Sequence, residues 1–348
     1  NSPIMMLAKF SVKNYRGFSE RIEWDLATPN NYEFNTEVIK DGIIKNGIIY
    51  GPNGSGKTNF GLALFDIVNH LGQKWRKLDY YANFVYVGKL NVPVEYVFKD
   101  ADRIINYCYS KNNIGQLLTE KLSVDNILVF ERTARTFNID TNEFPMENTT
   151  KRNLKDNANN VSIINFLLTS YPLAKNHYLL TVLQFVDSML WFRCLDTREF
   201  IGLDLAPTNL DEYIIQNNLV KDFSEFLHQV SDQKYQFANP RPNDKLLVCK
   251  IGGRDVIFDK IISTGTNALM LLYFWIQKMR SASFVFIDEF DAFYHFKLAF
   301  EVCKRLFALD CQVFTSSHNT YLMTNDLLRP DCNFIVNNNK IKPLSACT

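Results

Sequence analysis

Eight consecutive residues carry the plainest chemistry in the chain. Gly51-Pro52-Asn53-Gly54-Ser55-Gly56-Lys57-Thr58 fits the pattern G-x-x-x-x-G-K-[ST]. Glycines at these places let the backbone wrap a chain of phosphates with several N–H groups pointing inward, and the start of the following helix adds positive potential. Lys57 would neutralise the β- and γ-phosphates, and the Thr58 hydroxyl would coordinate Mg²⁺; Asn53, Gly54, Ser55, Gly56 and Asn59 belong to the same cradle. A second run, Ser283-Phe284-Val285-Phe286-Ile287-Asp288-Glu289, is apolar and ends in two acids. Asp288 would hold Mg²⁺ through water, and Glu289 would polarise an attacking water. A fortuitous glycine turn and a surface acidic turn are the plainer readings of the two runs. Their occurrence in one chain, in this order, favours phosphoryl chemistry. The second acid points to enzymes that assemble the site from two subunits, since simple kinases and GTPases usually lack it.

Such residues need a strand feeding the glycine loop and a helix leaving it. Lys45 to Tyr50 predicts the strand, and Asn59 to His70 has helical spacing through Phe60, Leu64, Ile67, Val68 and Leu71. Phe284 to Ile287 and Gln312 to Thr315 read as buried strands, and Asn267 to Met279 and His295 to Ala308 as helices. Strands alternating with helices around a glycine loop indicate an α/β fold with a mainly parallel core sheet. Leu7 to Asn14 reads as a strand with Arg21 to Leu26 as its antiparallel partner. Tyr81 to Phe137 holds β-rich runs at 84–87, 92–98, 103–109, 117–124 and 127–132, which predict an antiparallel β-layer. Asn138 to Asn160 is polar and reads as a loop. Val161 to Leu195 and Leu210 to Val230 look helical and form an insertion lobe. Within it the stretch with Phe185, Met189, Trp191 and Phe192 is apolar nearly all round, and reads as lobe core or subunit interface. Leu246 to Phe258 returns to β across Gly252-Gly253, and Phe334 to Val336 with Lys340 to Pro343 form a closing hairpin. The expected division is 1–137 for the first part of the glycine-loop domain, 138–245 for the helical lobe, and 246–348 for the second part of that domain.

Composition sets the bounds. At 348 residues and 47% hydrophobic the chain can bury a large core, and 28 phenylalanines speak for packing rather than disorder. A net charge of +1 gives no global field for nucleic acid, so any such contact needs a local patch. Arg241, Lys245, Lys250 and Arg254 could form a basic strip, while Lys151, Arg152 and Lys155 read as a solvated loop. Seven scattered cysteines, with no C-x-x-C pair, argue against a disulfide framework or a zinc site and for a reducing cytoplasm. The opening residues do not read as a signal peptide, and the longest apolar run, around Ala268 to Ile276, is too short to span a bilayer.

Three further segments carry a family resemblance. Phe10-Ser11-Val12-Lys13-Asn14-Tyr15-Arg16-Gly17-Phe18 is similar to the opening F-x-x-x-N-[FY]-R-x-F of ABC-class P-loop ATPases of the RecF, SMC and OLD type. Ile262-Ser263-Thr264-Gly265-Thr266 resembles a degenerate form of their L-S-G-G-Q signature, and Phe314-Thr315-Ser316-Ser317-His318-Asn319 their switch histidine at a strand end. The order along the chain is theirs, over roughly residues 7–110 and 246–343. The match is nearest to the stand-alone bacterial ATPases of abortive-infection and anti-phage systems. The resemblance implies an ATPase that closes against a second copy around ATP and Mg²⁺. Ser263 and Gly265 would then offer a helix start to the γ-phosphate held by the twin, His318 would sense that phosphate, Arg16 would lie near the phosphates of its own subunit, and Asp291 would act across the interface. Each has a plainer reading: a helix cap for Ser263, a core histidine for His318, a turn residue for Arg16.

The departures are specific. The glutamine that such ATPases carry after the first lobe strand has no counterpart: Gln73 and Gln116 are poorly placed, and none lies between Phe84 and Lys99. The signature lacks its second glycine and its glutamine, which implies slow turnover. Val161 to Val230 is too short for long coiled-coil arms, and no clustered-acid nuclease domain is expected of this chain. The resulting expectation is a cytoplasmic, ATP-hydrolysing switch that dimerises and controls a separately encoded effector, such as a nuclease or toxin, or a nucleic-acid transaction in anti-phage defence. A non-catalytic ATP-binding scaffold and a self-contained P-loop kinase or NTPase are the alternatives.

Overall fold

Two seven-stranded sheets meet at Trp24. Its ring stands edge-on to Phe314 at 4.7 Å, to Phe60 at 5.4 Å and to Phe334 at 5.6 Å, tying one sheet to the other and to the helix between them. These features come from a computed structural model that describes residues 5–52, 54, 56–72, 80–156, 161–193, 200–202, 209–291, 295–337 and 340–347.

The chain opens with the antiparallel pair β1 (Met6–Val12) and β2 (Ile22–Asp25), and a short ladder of β3 (Ile39–Lys40) with β4 (Ile43–Ile44) leads to β5 (Asn46–Tyr50). The glycine loop follows, then α1 (Lys57–Leu64), which ends near Phe65 before a π turn at Val68–Gly72. A meander comes next: β6 (Asn91–Asp100), β7 (Arg103–Asn112), β8 (Leu117–Val124), β9 (Ile127–Arg132) and β10 (Phe137–Ile139). Three helices, α2 (Asn148–Asp156), α3 (Ile163–Ser170) and α4 (Tyr178–Asp187), precede β11 (Met189–Arg193) and β12 (Phe200–Gly202). Then come α5 (Leu210–Gln216), α6 (Val220–Ser231), the hairpin β13 (Val248–Ile251) with β14 (Arg254–Ile257), and α7 (Thr264–Met279). The chain finishes with β15 (Phe284–Asp288), α8 (Phe296–Phe307), β16 (Gln312–Ser317), β17 (Asn333–Asn337) and β18 (Lys340–Pro343).

The first sheet, β10-β9-β8-β7-β6-β1-β2, is antiparallel throughout. The second runs β12-β11-β15-β16-β5-β17-β18; its five inner strands are parallel, and the two edge strands are antiparallel to their neighbours. Every residue of β5, β15 and β16 is buried, because a parallel strand covered on both faces has no solvated side. Gln312 clamps the sheets together: its amide donates to the carbonyls of Leu7 and Ile44 and accepts the Leu7 N–H at 2.8 Å.

A buried carboxylate joins the antiparallel layer to the helices behind it. Glu120 on β8 accepts the hydroxyls of Tyr107 at 2.7 Å and Ser162 at 2.8 Å, the Ile163 N–H at 2.8 Å and the Arg132 guanidinium at 3.3 Å. It therefore caps α3 and neutralises a cation that is itself wholly buried.

Three expectations need correction. The helical reading of Val161 to Leu195 holds only as far as Asp187, because Met189–Arg193 is a strand between β12 and β15 in the core sheet. The stretch with Met189, Trp191 and Phe192 is thus sheet core, so the 138–245 segment supplies two core strands; a short apolar run cannot be assigned to helix or strand from periodicity alone. Asn138 to Asn160 is not all loop, since α2 covers Asn148–Asp156 with Leu154 buried. Phe84 to Val87 forms only a bridge from Val85 to Tyr15.

Candidate functional site

The strand order β11-β15-β16-β5 sets four carboxyl-terminal ends side by side. Arg193 stands opposite Asp288, Ile287 opposite Thr315, and Ser317 opposite Tyr50. Ligands of open parallel sheets bind in the crevice outside such ends. The loop after β5 arrives at the same edge, with Gly54 at φ 82° and Gly56 at φ 100°, and α1 starts at Lys57 and lies against β15. Asn53 and Ser55 lie outside the described residues.

Asp288 is the hub and is fully buried. Its Oδ2 accepts the Thr58 hydroxyl at 2.9 Å and Arg193 Nη2 and Nε at 2.9 and 3.1 Å; its Oδ1 accepts the Ser316 hydroxyl at 2.8 Å. Arg193 Nη2 also reaches Thr58 Oγ1 at 3.4 Å. Lys57 is buried and donates to the carbonyls of Gly51 and Pro52, so its ammonium is folded into the loop. Burial pushes the Lys57 pKa down, opposed by the carboxylates of Asp288, Glu289 and Asp291. A phosphate chain in the loop would remove that penalty.

Glu289 follows Asp288 in the left-handed region, at φ 49°. A non-glycine residue there costs about 1–3 kcal/mol, so surrounding contacts must hold it. One of them is the Glu289 N–H, which donates to Ser316 Oγ at 2.9 Å. Asp291 is buried, accepts the Ser317 hydroxyl on Oδ2 at 2.6 Å, and among the described residues has no hydrogen-bond partner on Oδ1. Burial pushes its pKa up, partly offset by Ser317, His318 and Lys57. His318 lies just past β16 and is exposed, so it is not a core histidine.

Arg16 sits at a left-handed turn position, φ 44°, and its Nη1 donates to Asn59 Oδ1 on α1 at 3.5 Å. This brings Arg16 and Asn59 together beside the loop. Ser263 and Gly265 stand elsewhere, at the start of α7. Ser263 is the exposed N-cap of that helix; its hydroxyl oxygen accepts the Thr266 N–H at 3.2 Å, while Thr266 in turn donates to Gln233. Gly265 lies within the first turn of α7 rather than in a loop.

The donor set suits Mg²⁺. Thr58 supplies a hydroxyl and Asp288 a carboxylate, and among the described residues no group of three or more His, Cys, Asp or Glu forms an all-protein metal cage. An ion that keeps several waters and takes the rest of its oxygens from phosphates needs no more.

Arg193, Ser316 and Ser317 take part in this cluster, and sequence reasoning gave none of them a role. The signal for Arg193 is a five-residue aromatic-rich run ending in a charge, the same outline as the run ending at Asp288. Gln116 lies in the turn between β7 and β8, bonded to Asn112, and Gln73 lies outside the described residues. The six described cysteines are free, and among the described residues no helix is long and apolar enough to cross a membrane.

No family model matches the chain, and no curated protein matches it. Solved structures do resemble it over nearly its whole length. The SMC head domain from Thermotoga maritima is 14% identical, with 97% of each chain covered and a TM-score of 0.47. An Smc head domain from Pyrococcus furiosus, with an extended coiled coil and bound to the C-terminal domain of ScpA, is 14% identical, with 97% of this chain and 96% of that one covered and a TM-score of 0.46. The recombination mediator protein RecF with ATP is 14% identical, with 98% of each chain covered and a TM-score of 0.40. At these identities and scores the likeness is one of outline, and what the site can do follows from its own residues.

Proposed function

We propose that the chain is an ATP-binding and slowly ATP-hydrolysing switch that closes against a second copy of itself around Mg-ATP. The observation that supports this most is the 2.9 Å bond between Thr58 and Asp288, residues 230 positions apart, beside the buried ammonium of Lys57 and the constrained Glu289. In this reading the loop amides and Lys57 hold the phosphates, with Arg16 and Asn59 alongside. Thr58 and Asp288 hold Mg²⁺, which would offset phosphate charge. Glu289 orients and deprotonates the attacking water, and His318 and Asp291 line the rim.

One protomer leaves the phosphates open on the solvent side. The exposed start of α7, with the Ser263 hydroxyl and the first-turn N–H groups near Gly265, is the anion site that a second copy would bring to them. ATP would then join the two subunits, and hydrolysis would release them. From the motif resemblance alone, the switch would govern a separately encoded effector or a nucleic-acid transaction in anti-phage defence.

The test is to measure binding of a fluorescent ATP analogue together with sedimentation. Lys57→Ala should abolish binding. Glu289→Gln should bind Mg-ATP and sediment as a dimer, and Ser263→Arg should bind it yet stay monomeric. Equal binding by Lys57→Ala would sink the nucleotide site, and a Glu289→Gln protein that remains monomeric in saturating Mg-ATP would sink the sandwich. Full phage protection by cells carrying Lys57→Ala would dispose of the ATP-driven defence role.

A further inference from the structure

We infer that Arg193 and the divalent cation compete for the same two oxygen atoms, so that Arg193 sets how much Mg²⁺ the site requires before it engages nucleotide. This rests on the nucleotide reading above. Two guanidinium nitrogens converge on Asp288 Oδ2, at 2.9 and 3.1 Å, and Nη2 extends to Thr58 Oγ1 at 3.4 Å. Those are the oxygens that a cation at the foot of the glycine loop would take. The other oxygen of Asp288, Oδ1, accepts the Ser316 hydroxyl on the neighbouring strand.

The pairing is built into the sheet. Arg193 is the last residue of β11 and stands in register with Asp288 on β15, so the backbone fixes the approach. The Trp191 ring lies 5.8 Å from the guanidinium carbon. A guanidinium stays charged at any working pH and presents a planar fork, so it acts as a standing counter-ion to a carboxylate that burial would otherwise penalise. A Mg²⁺ ion held by Thr58 and, directly or through a water, by Asp288 has to approach the oxygens on which the Arg193 fork sits, and two cations crowded there repel one another. The Arg193 side chain keeps 21% exposure against 0% for Asp288, which leaves the arginine a solvent-side path of withdrawal. The cation arriving with the phosphates therefore has to displace it.

The experiment measures the Mg²⁺ midpoint for binding of a fluorescent, non-hydrolysable ATP analogue at constant ionic strength, in the wild type, Arg193→Gln and Arg193→Lys. Losing charge-assisted hydrogen bonds to the two oxygens should lower the midpoint about tenfold or more in Arg193→Gln, and by less in Arg193→Lys, which keeps the charge without the fork. A Mn²⁺ titration followed by electron paramagnetic resonance, with the same analogue present, should give the same order. An Arg193→Gln midpoint equal to or above that of the wild type overturns the competition while the nucleotide site stands. A wild type that binds no analogue at any Mg²⁺ concentration overturns the nucleotide reading and this inference with it. Should Arg193→Gln fail to fold, Arg193→Lys decides, and an unshifted midpoint counts against the inference.

Discussion

Ser316 donates its hydroxyl to Asp288 at 2.8 Å and accepts the N–H of Glu289 at 2.9 Å. One serine at the end of β16 thus orients the buried carboxylate of the neighbouring strand and pins the strained residue after it. Ser316→Ala removes the donor from a buried charge and strands a backbone N–H, so stability should fall by about 1–3 kcal/mol. Denaturant unfolding would measure the loss, and an unchanged midpoint would mean that the serine is dispensable.

The glycine loop tolerates no side chain at Gly56. Its φ of 100° is reserved for glycine, and a Cβ there would meet Phe18 ring carbons at 2.6 and 2.9 Å. Gly56→Ala should lower stability by about 1–3 kcal/mol from backbone strain alone. It should also weaken nucleotide binding, because the loop must shift. In a Phe18→Ala background the clash is gone, so Gly56→Ala there should cost less than in the wild type but still cost the strain. Equal stability of Phe18→Ala with and without Gly56→Ala would show that the backbone angle costs nothing.

Asp291 should make stability fall as pH rises. Burial lifts its carboxyl above the ordinary 3.8. Between that value and the raised one, the folded chain keeps a proton that the unfolded chain has released, so raising the pH through the window favours unfolding. Asp291→Asn keeps an oxygen for Ser317 and removes the ionisation. The stability of the variant relative to wild type should therefore climb with pH through the window and level off above it. Unfolding midpoints for both proteins across a pH series provide the check; a difference independent of pH would refute the assignment.

Glu120 is expected to be the costliest single carboxylate to remove. Glu120→Ala leaves Arg132 charged at 0% exposure and takes the cap from α3. Breaking a buried pair from one side costs about 3–5 kcal/mol. Glu120→Gln, which keeps one acceptor oxygen and the side chain's shape, should lose less. Equal losses in the two variants, by equilibrium unfolding, would show that the charge of Glu120 carries the whole effect and the retained acceptor none of it.

Lys57, Thr58 and Asp288 were legible because each sits in a local signature: a glycine loop leaving a strand, and an apolar strand ending in acids. Both signatures are set by the chain's immediate neighbours. Arg193 was hidden for the opposite reason. Its run, Met189–Arg193, is buried on both sides, so it shows neither the period of two of a half-exposed strand nor a clear helical face, and only its pairing with β15 identifies it. The antiparallel layer could be read from its successive β-rich runs, whereas the polar set around Glu120 could not, since it gathers Tyr107, Arg132 and Ser162 from three separate elements. Asn148–Asp156 was obscured by its polarity, because only Leu154 of that helix is buried.

The order of the parallel strands also bears on how the chain is born. Strand β5 ends at Tyr50, yet both of its hydrogen-bonded neighbours, β16 and β17, begin only at Gln312 and Asn333. During synthesis its apolar residues must wait, unpaired, until the chain beyond Gln312 has emerged. Contacts this distant make slow, late-closing folding the rule and leave sticky intermediates exposed meanwhile. Ribosome-stalled chains halted before Gln312 should accordingly be protease-sensitive around Asn46–Tyr50 and dependent on holding chaperones.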